Sequence, residues 1–174
     1  MTNQVPASNH FDAEGNAHMV DVSAKAPTAR VATASGTISM KPETAAIIRA
    51  GAAAKGDVLG IARLAAINAV KLTPSLIPLC HVILIDGVEI AFRFVNETTL
   101  RCDVTVCCTG RTGVEMEAMS GVAAACLTVY DMCKSIDRKM TIREIRLLSK
   151  DGGKSGRFEA ESISGEGFDA ISSV

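Results

Sequence analysis

Hydrophobic and polar positions change their period along this chain, and the changes mark out its elements. Residues 30–40, rich in Thr, Val and Ser, predict a strand. Pro42 opens a short helix over 43–50 that Gly51 closes, although Lys41 is a poor N-cap for it. Asp57 is a better cap. Leu59, Ala62, Ala66 and Ala69 then form a narrow apolar stripe that predicts a second helix over 58–71, stopped ahead of Pro74. Apolar runs at 82–85 and 88–95 predict one strand bulged at Asp86 and Gly87. Asn96, Glu97 and Thr98 supply a turn. Residues 100–109 return as the hairpin partner, with Cys102, Val104, Val106 and Cys108 on one face. A long helix is expected over 113–136 and a last strand over 142–149, ended by Asp151, Gly152 and Gly153.

The order strand, helices, strand, strand, helix, strand is that of an α+β, ferredoxin-like fold: one antiparallel sheet with helices on one face. The other face would be bare in a single copy. The run Val82-Ile83-Leu84-Ile85 asks for burial on both of its sides, so an oligomer joined through sheet faces or edges is expected. Residues 1–18 read as a flexible arm, 19–156 as one domain and 157–174 as a flexible tail.

Composition narrows the function classes. A formal net charge of −1 leaves no global positive field for nucleic acid or an anionic membrane, so a phosphate site must be built from a few basic residues gathered locally. Aromatics are only 3% and Trp is absent, which argues against a base-stacking surface. Phe92 and Phe94 share a strand face, but the facing strand offers Cys and Val without a basic patch. Hydrophobic residues reach 48%, yet the apolar runs fall far short of the roughly 20 residues that span a bilayer, and the polar start has no secretory h-region. The excess points to burial between subunits. Cys80, Cys102, Cys107, Cys108, Cys126 and Cys133 form no C-x-x-C pair and have no His at zinc spacing. They read as reduced, small apolar residues of a cytosolic protein, with no metal site.

Candidate chemistry lies in several places. Asp131 and Lys134 are three apart and share a helix face. Glu117, fourteen residues earlier, falls on about the same face but ~20 Å away along the axis. Glu115 and Glu117 point in nearly opposite directions on a regular helix, so they serve one site only if the segment is extended, and two subunits otherwise. The bland reading of these groups is a surface ion pair plus acids placed by the helix dipole. His81 ends the Pro-containing loop Ile77-Pro78-Leu79-Cys80-His81 and is of the residue type suited to proton transfer, though a His at a strand edge is ordinarily structural. Lys55 sits beside a helix N-terminus, a natural place for an anion. The stretch from Lys150 to Gly156 has Leu148 where a P-loop needs its first Gly, so that motif is rejected.

Taken as literal strings, the segments Ala17 to Ser23, Lys55 to Val58, Leu76 to His81, Thr112 to Ala118 and Val129 to Lys134 resemble one family, cyclic pyranopterin monophosphate synthase, the second enzyme of molybdenum cofactor (molybdopterin) biosynthesis. The resemblance spans about residues 17–156. It implies a cytoplasmic lyase that converts (8S)-3',8-cyclo-7,8-dihydroguanosine 5'-triphosphate into cyclic pyranopterin monophosphate and releases pyrophosphate. It implies a ferredoxin-like homohexamer, a trimer of dimers with interfacial active sites. Catalytic roles carry over to Asp131, Lys134 and Lys55, and substrate binding to Leu79, Cys80, His81, Glu115, Met116, Glu117 and Lys150. His18 and Asp21 match the family's N-terminal motif. No resident cofactor is implied; Mg²⁺ can enter on the substrate triphosphate, which leaves few ligands for protein to supply. One departure stands out: Val82 replaces the family's usual Pro after the loop His, which frees φ and restores an N–H there. The rival class is a non-catalytic ferredoxin-like oligomer that binds a small ligand.

Overall fold

The computed structural model describes residues 10–12 and 14–161. In chain order the elements are β1 (Thr28–Ser39), α1 (Pro42–Arg49), α2 (Val58–Leu76), β2 (Gly87–Phe94), β3 (Thr99–Gly110), α3 (Glu115–Cys133), β4 (Thr141–Asp151) and β5 (Phe158–Glu159). The sheet runs β2-β3-β1-β4-β5, antiparallel throughout. Its first four strands have the ferredoxin-like order. The expected N-terminal arm and C-terminal tail lie for the most part outside the described residues. Within them, β5 adds a short edge that the periodicity did not mark, because two residues are too few to show a period.

The helix-facing side of the sheet follows the alternation of the strands. Ala32, Ala34 and Ile38 of β1 and Leu100, Cys102, Val104, Val106 and Cys108 of β3 are all buried there. The same core holds Ala62, Ala66 and Val70 of α2, and Ala118, Val122, Ala125 and Val129 of α3. The small residues let the layers approach closely. At Gly36 in β1 a Cβ would stand 2.6 Å from Val122 Cγ1, and at Gly121 in α3 it would stand 3.0 Å from Val104 Cγ1 and from Val70 Cγ2. Both glycines are absences of bulk at the seam between α3 and the sheet.

Three expectations change. Helix α2 does not stop before Pro74 but runs to Leu76. Pro74 gives up its own N–H bond to the Val70 carbonyl and its ring crowds that carbonyl, yet the helix continues past it, and the Ile77 N–H still reaches Thr73 O at 2.9 Å. The run at 82–85 is not part of the sheet. The Asp86 N–H to Cys107 O bond, 3.0 Å, is the last rung on that side. Beyond it Ile83 and Ile85 pack on the core while Val82 and Leu84 are each 86% exposed. The sheet face opposite the helices is polar, and its own long side chains cover its centre, so that Ser35, Thr37 and Arg101 are buried. Thr33, Ser35 and Thr37 face Thr105, Asp103 and Arg101 across β1 and β3, flanked by Arg93, Arg143 and Arg146. Exposed apolar side chains lie instead on the outer side of the helical layer, at Ile61, Leu64, Leu72, Leu76 and Leu127.

Gly36→Ala is expected to destabilise the fold by about 1–3 kcal/mol through overpacking against Val122 and Ile145. Urea unfolding reads this as a lower midpoint at unchanged slope. An unchanged midpoint would mean that α3 can ride higher on the sheet.

Candidate active site

The charged residues singled out from the sequence fall into two groups, one at each end of α3. At its N-terminal end, the loop after α2, the first turn of α3 and the segment leading into β1 enclose a cavity of about 300 Å³. Leu79, Cys80, His81, Glu115, Met116 and Glu117 all line it. Because α3 meets the cavity end-on, Glu115 and Glu117 both border it although both are helical. The choice between an extended segment and two subunits therefore does not arise for this pair. No side chain caps the helix at Val114, so the positive end of its dipole opens on the same space.

Each group here is held by an identifiable contact. Nε2 of His81 lies 2.8 Å from the carbonyl of Val20. A carbonyl only accepts, so the ring donates from Nε2 and, when neutral, keeps an acceptor at Nδ1. Lys150 Nζ meets Glu115 Oε1 at 3.3 Å and Ser155 Oγ at 2.7 Å, which folds the glycine-rich loop after β4 back toward α3. Gly152 and Gly153 make that reversal with φ of 95° and 76°. Glu117 is 2% exposed. Burial, reinforced by the charge of Glu115, lifts its carboxyl above the ordinary value against the bond from its own N–H. Burial and the nearby Glu117 push the Cys80 thiol up, so it stays neutral.

The second group lies at the other end of α3. Asp131 Oδ1 is 2.6 Å from Lys134 Nζ. Lys55 Nζ, carried on the loop before α2, donates to the Asp131 carbonyl at 2.9 Å and stands 3.6 Å from Oδ2. The hydrogen bond and charge of Lys134, then the charge of Lys55, hold the Asp131 carboxyl below the usual range. The Lys134 ammonium is correspondingly pushed up, first by its hydrogen bond to Asp131. All three side chains are about half exposed, at 60%, 52% and 45% for Asp131, Lys134 and Lys55. They are preset, but not enclosed.

From Glu115 to Asp131 is sixteen helical steps, or ~24 Å. One chain therefore does not bring the two groups together. His18 does not line the cavity; its N–H bonds to His10 O at 3.0 Å, and it is His10 that reaches the wall. Asp21 accepts the Ser23 N–H at 2.8 Å, which holds its carboxyl below the ordinary value, and it lies outside the lining. Lys25, which no sequence motif marks, also lines the cavity. It falls two residues past the matched N-terminal string, in a turn closed by its own N–H on Val22 O. Among the described residues, no three of His, Cys, Asp or Glu gather as a metal-binding group.

A ferredoxin-like two-layer chain with charged groups at both ends of one helix is thus the class that fold and site define. The chain belongs to the MoaC family, whose model matches residues 19–153. It is similar to the cyclic pyranopterin monophosphate synthase of Desulfitobacterium hafniense, 54% identical over 152 residues that cover 87% of this chain and 93% of that one. Proteins of the same name from Dinoroseobacter shibae and Geobacter metallireducens are each 55% identical, over 155 and 154 residues. These cover 87% and 88% of this chain and 97% and 96% of theirs.

The direction of the Glu117 shift has a consequence for stability. A carboxyl raised in the fold stabilises it below the unfolded value, and that contribution is lost as pH rises through the folded value. Glu117→Gln is therefore expected to be more stable than the parent near neutral pH and to converge with it in mild acid, as read by urea midpoints. Equal midpoints at neutral pH would show that the carboxylate is accommodated when charged.

Proposed function

We propose that this chain is a lyase of molybdenum cofactor biosynthesis that converts (8S)-3',8-cyclo-7,8-dihydroguanosine 5'-triphosphate to cyclic pyranopterin monophosphate with release of pyrophosphate. The observation that carries the reading is identity above half, over nearly the whole length, to three proteins bearing that synthase name. The chemistry needs what the two ends of α3 offer. A ribose hydroxyl attacks the α-phosphorus, the bond to the β-phosphate oxygen breaks, and pyrophosphate departs. Lys55, Lys134 and Lys150 supply the cations that stabilise charge on the equatorial and leaving oxygens. Opening and reclosing the purine part needs proton transfers. Asp131 stays ionised to accept one, and Lys134, its proton held by Asp131, has one to give. At the other end, Leu79, Cys80, His81, Glu115, Met116 and Glu117 bind the substrate. Lys25 joins them as a cation on the wall. No resident cofactor takes part, and Mg²⁺ enters on the triphosphate.

A single copy keeps these halves ~24 Å apart. The exposed apolar side chains Ile61, Leu64, Leu72 and Leu127 lie on the helical layer between them. Two copies related by a two-fold axis, with helical layers face to face and antiparallel, would bury that strip. Each copy's Asp131 end would then sit over the other's His81 end, giving two complete sites per dimer. Three such dimers make the cytoplasmic homohexamer, and the family's interfacial site follows from the helix length.

Asp131→Asn and Lys134→Ala are expected to give folded oligomers whose pyrophosphate release from the cyclic triphosphate falls roughly 10²–10⁴-fold. Parent-like turnover in either would remove that residue from the mechanism, and no release by the parent itself would favour a ligand-binding protein without chemistry. Asp131→Asn and His81→Ala chains, each inactive alone, are expected on co-refolding to recover about a quarter of the sites, as random pairing into isologous dimers requires. No recovery would place both residues in one copy's site.

A further inference from the structure

Asp137 lies three residues past Lys134, in the turn between α3 and β4, and is 2% exposed. Its Oδ2 accepts the Lys41 N–H at 2.8 Å and the Thr44 hydroxyl at 3.4 Å. Its Oδ1 accepts the Lys139 N–H at 3.1 Å. Lys41 is the N-cap of α1, and its own side chain makes no capping bond. Asp137 therefore caps α1 across 96 residues of chain. At the start of the same turn, the N–H groups of Ile136 and Asp137 both bond to Cys133 O at 3.0 Å, and Lys134 N–H bonds to Tyr130 O at 2.8 Å. The backbone carrying Lys134 is thus fastened on one side to α3 and on the other to α1.

A buried carboxylate is a costly way to cap a helix. Ser, Thr, Asp or Asn at position 41 would cap α1 locally. What the long-range cap adds is a tie between α1 and the turn after α3. Burial works to raise the Asp137 carboxyl, but the N–H donors of Lys41 and Lys139, the charge of Lys41 and the Thr44 hydroxyl outweigh it. The group stays ionised at neutral pH, with its acceptors fully available to this tie.

We propose that Asp137 is a positioning residue for Lys134: by clamping the turn after α3 onto the N-terminus of α1, it fixes the backbone from which Lys134 meets Asp131. This rests on the part given to Lys134 above. It goes beyond the residues that line either half of the site, because Asp137 contacts neither Lys134 Nζ nor the cavity.

The test separates the clamp from a mere helix cap. Asp137→Ala is expected to lower both the melting temperature and kcat, the latter roughly 10- to 100-fold with KM near the parent value, since Lys134 is misplaced rather than lost. Asp137→Asn, which keeps one acceptor, is expected to fall between. The double variant Lys41→Asp with Asp137→Ala gives α1 a local cap. It is expected to regain melting temperature while kcat stays low. Recovery of kcat together with stability in the double variant would overturn the proposal, as would Asp137→Ala turnover equal to the parent's while the protein is folded. Lys134→Ala serves as control. If it turns over normally there is nothing to position, and the failure lies with the reading of Lys134; if it is inactive, the Asp137 results bear on the clamp alone.

Discussion

The close seat of α3 on the sheet is the constraint on which the rest depends. Gly36 and Gly121 remove the bulk that would hold α3 away from β1 and β3, and Val122 fills the space at Gly36. The helix is long, rigid and fixed in register on the strands. Its two ends are therefore fixed as well, and each end carries charged groups that the neighbouring loops complete. At one end the loop after α2 brings His81 to the helix N-terminus. At the other, the loop before α2 brings Lys55 to Asp131.

That arrangement gives the two ends different electrostatic characters. The N-terminal end is a partly open cavity that contains a carboxyl raised by burial, a neutral thiol and a His with a fixed tautomer. The C-terminal end is open, and its ions are tied by mutual attraction rather than by desolvation. Both ends carry cations, Lys150 beside Glu115 at one and Lys55 with Lys134 at the other, ~24 Å apart along one helix. Between them, on the outer side of the helical layer, lies the strip of exposed apolar side chains.

Much of the fold could be read from the residues because local rules carried it. Asp57 caps α2 through its bond to the Gly60 N–H, as its position before an apolar stripe implied. The alternation of Cys102, Val104, Val106 and Cys108 put all four in the core. The rule failed where a local signal met a tertiary one. Pro74 breaks helices, but not in a final turn whose remaining bonds are intact. Val82 to Ile85 looked like a buried strand, but the ladder with β3 ends at Asp86 and leaves alternate side chains in the open.

For the site, the sequence by itself determined which residues carry charge, which strings they sit in and which of them share a helix face, since these follow from order and a 3.6-residue period. It also placed Asp131 about 20 Å from Glu117. Only the tertiary structure decided that Glu115 and Glu117 border one cavity, that His10 rather than His18 reaches it, that Lys25 belongs there, and that Lys55 pairs with Asp131. Those facts depend on where loops distant in sequence are carried by packed helices and strands. No periodicity along the chain encodes the direction in which a helix end faces its neighbours.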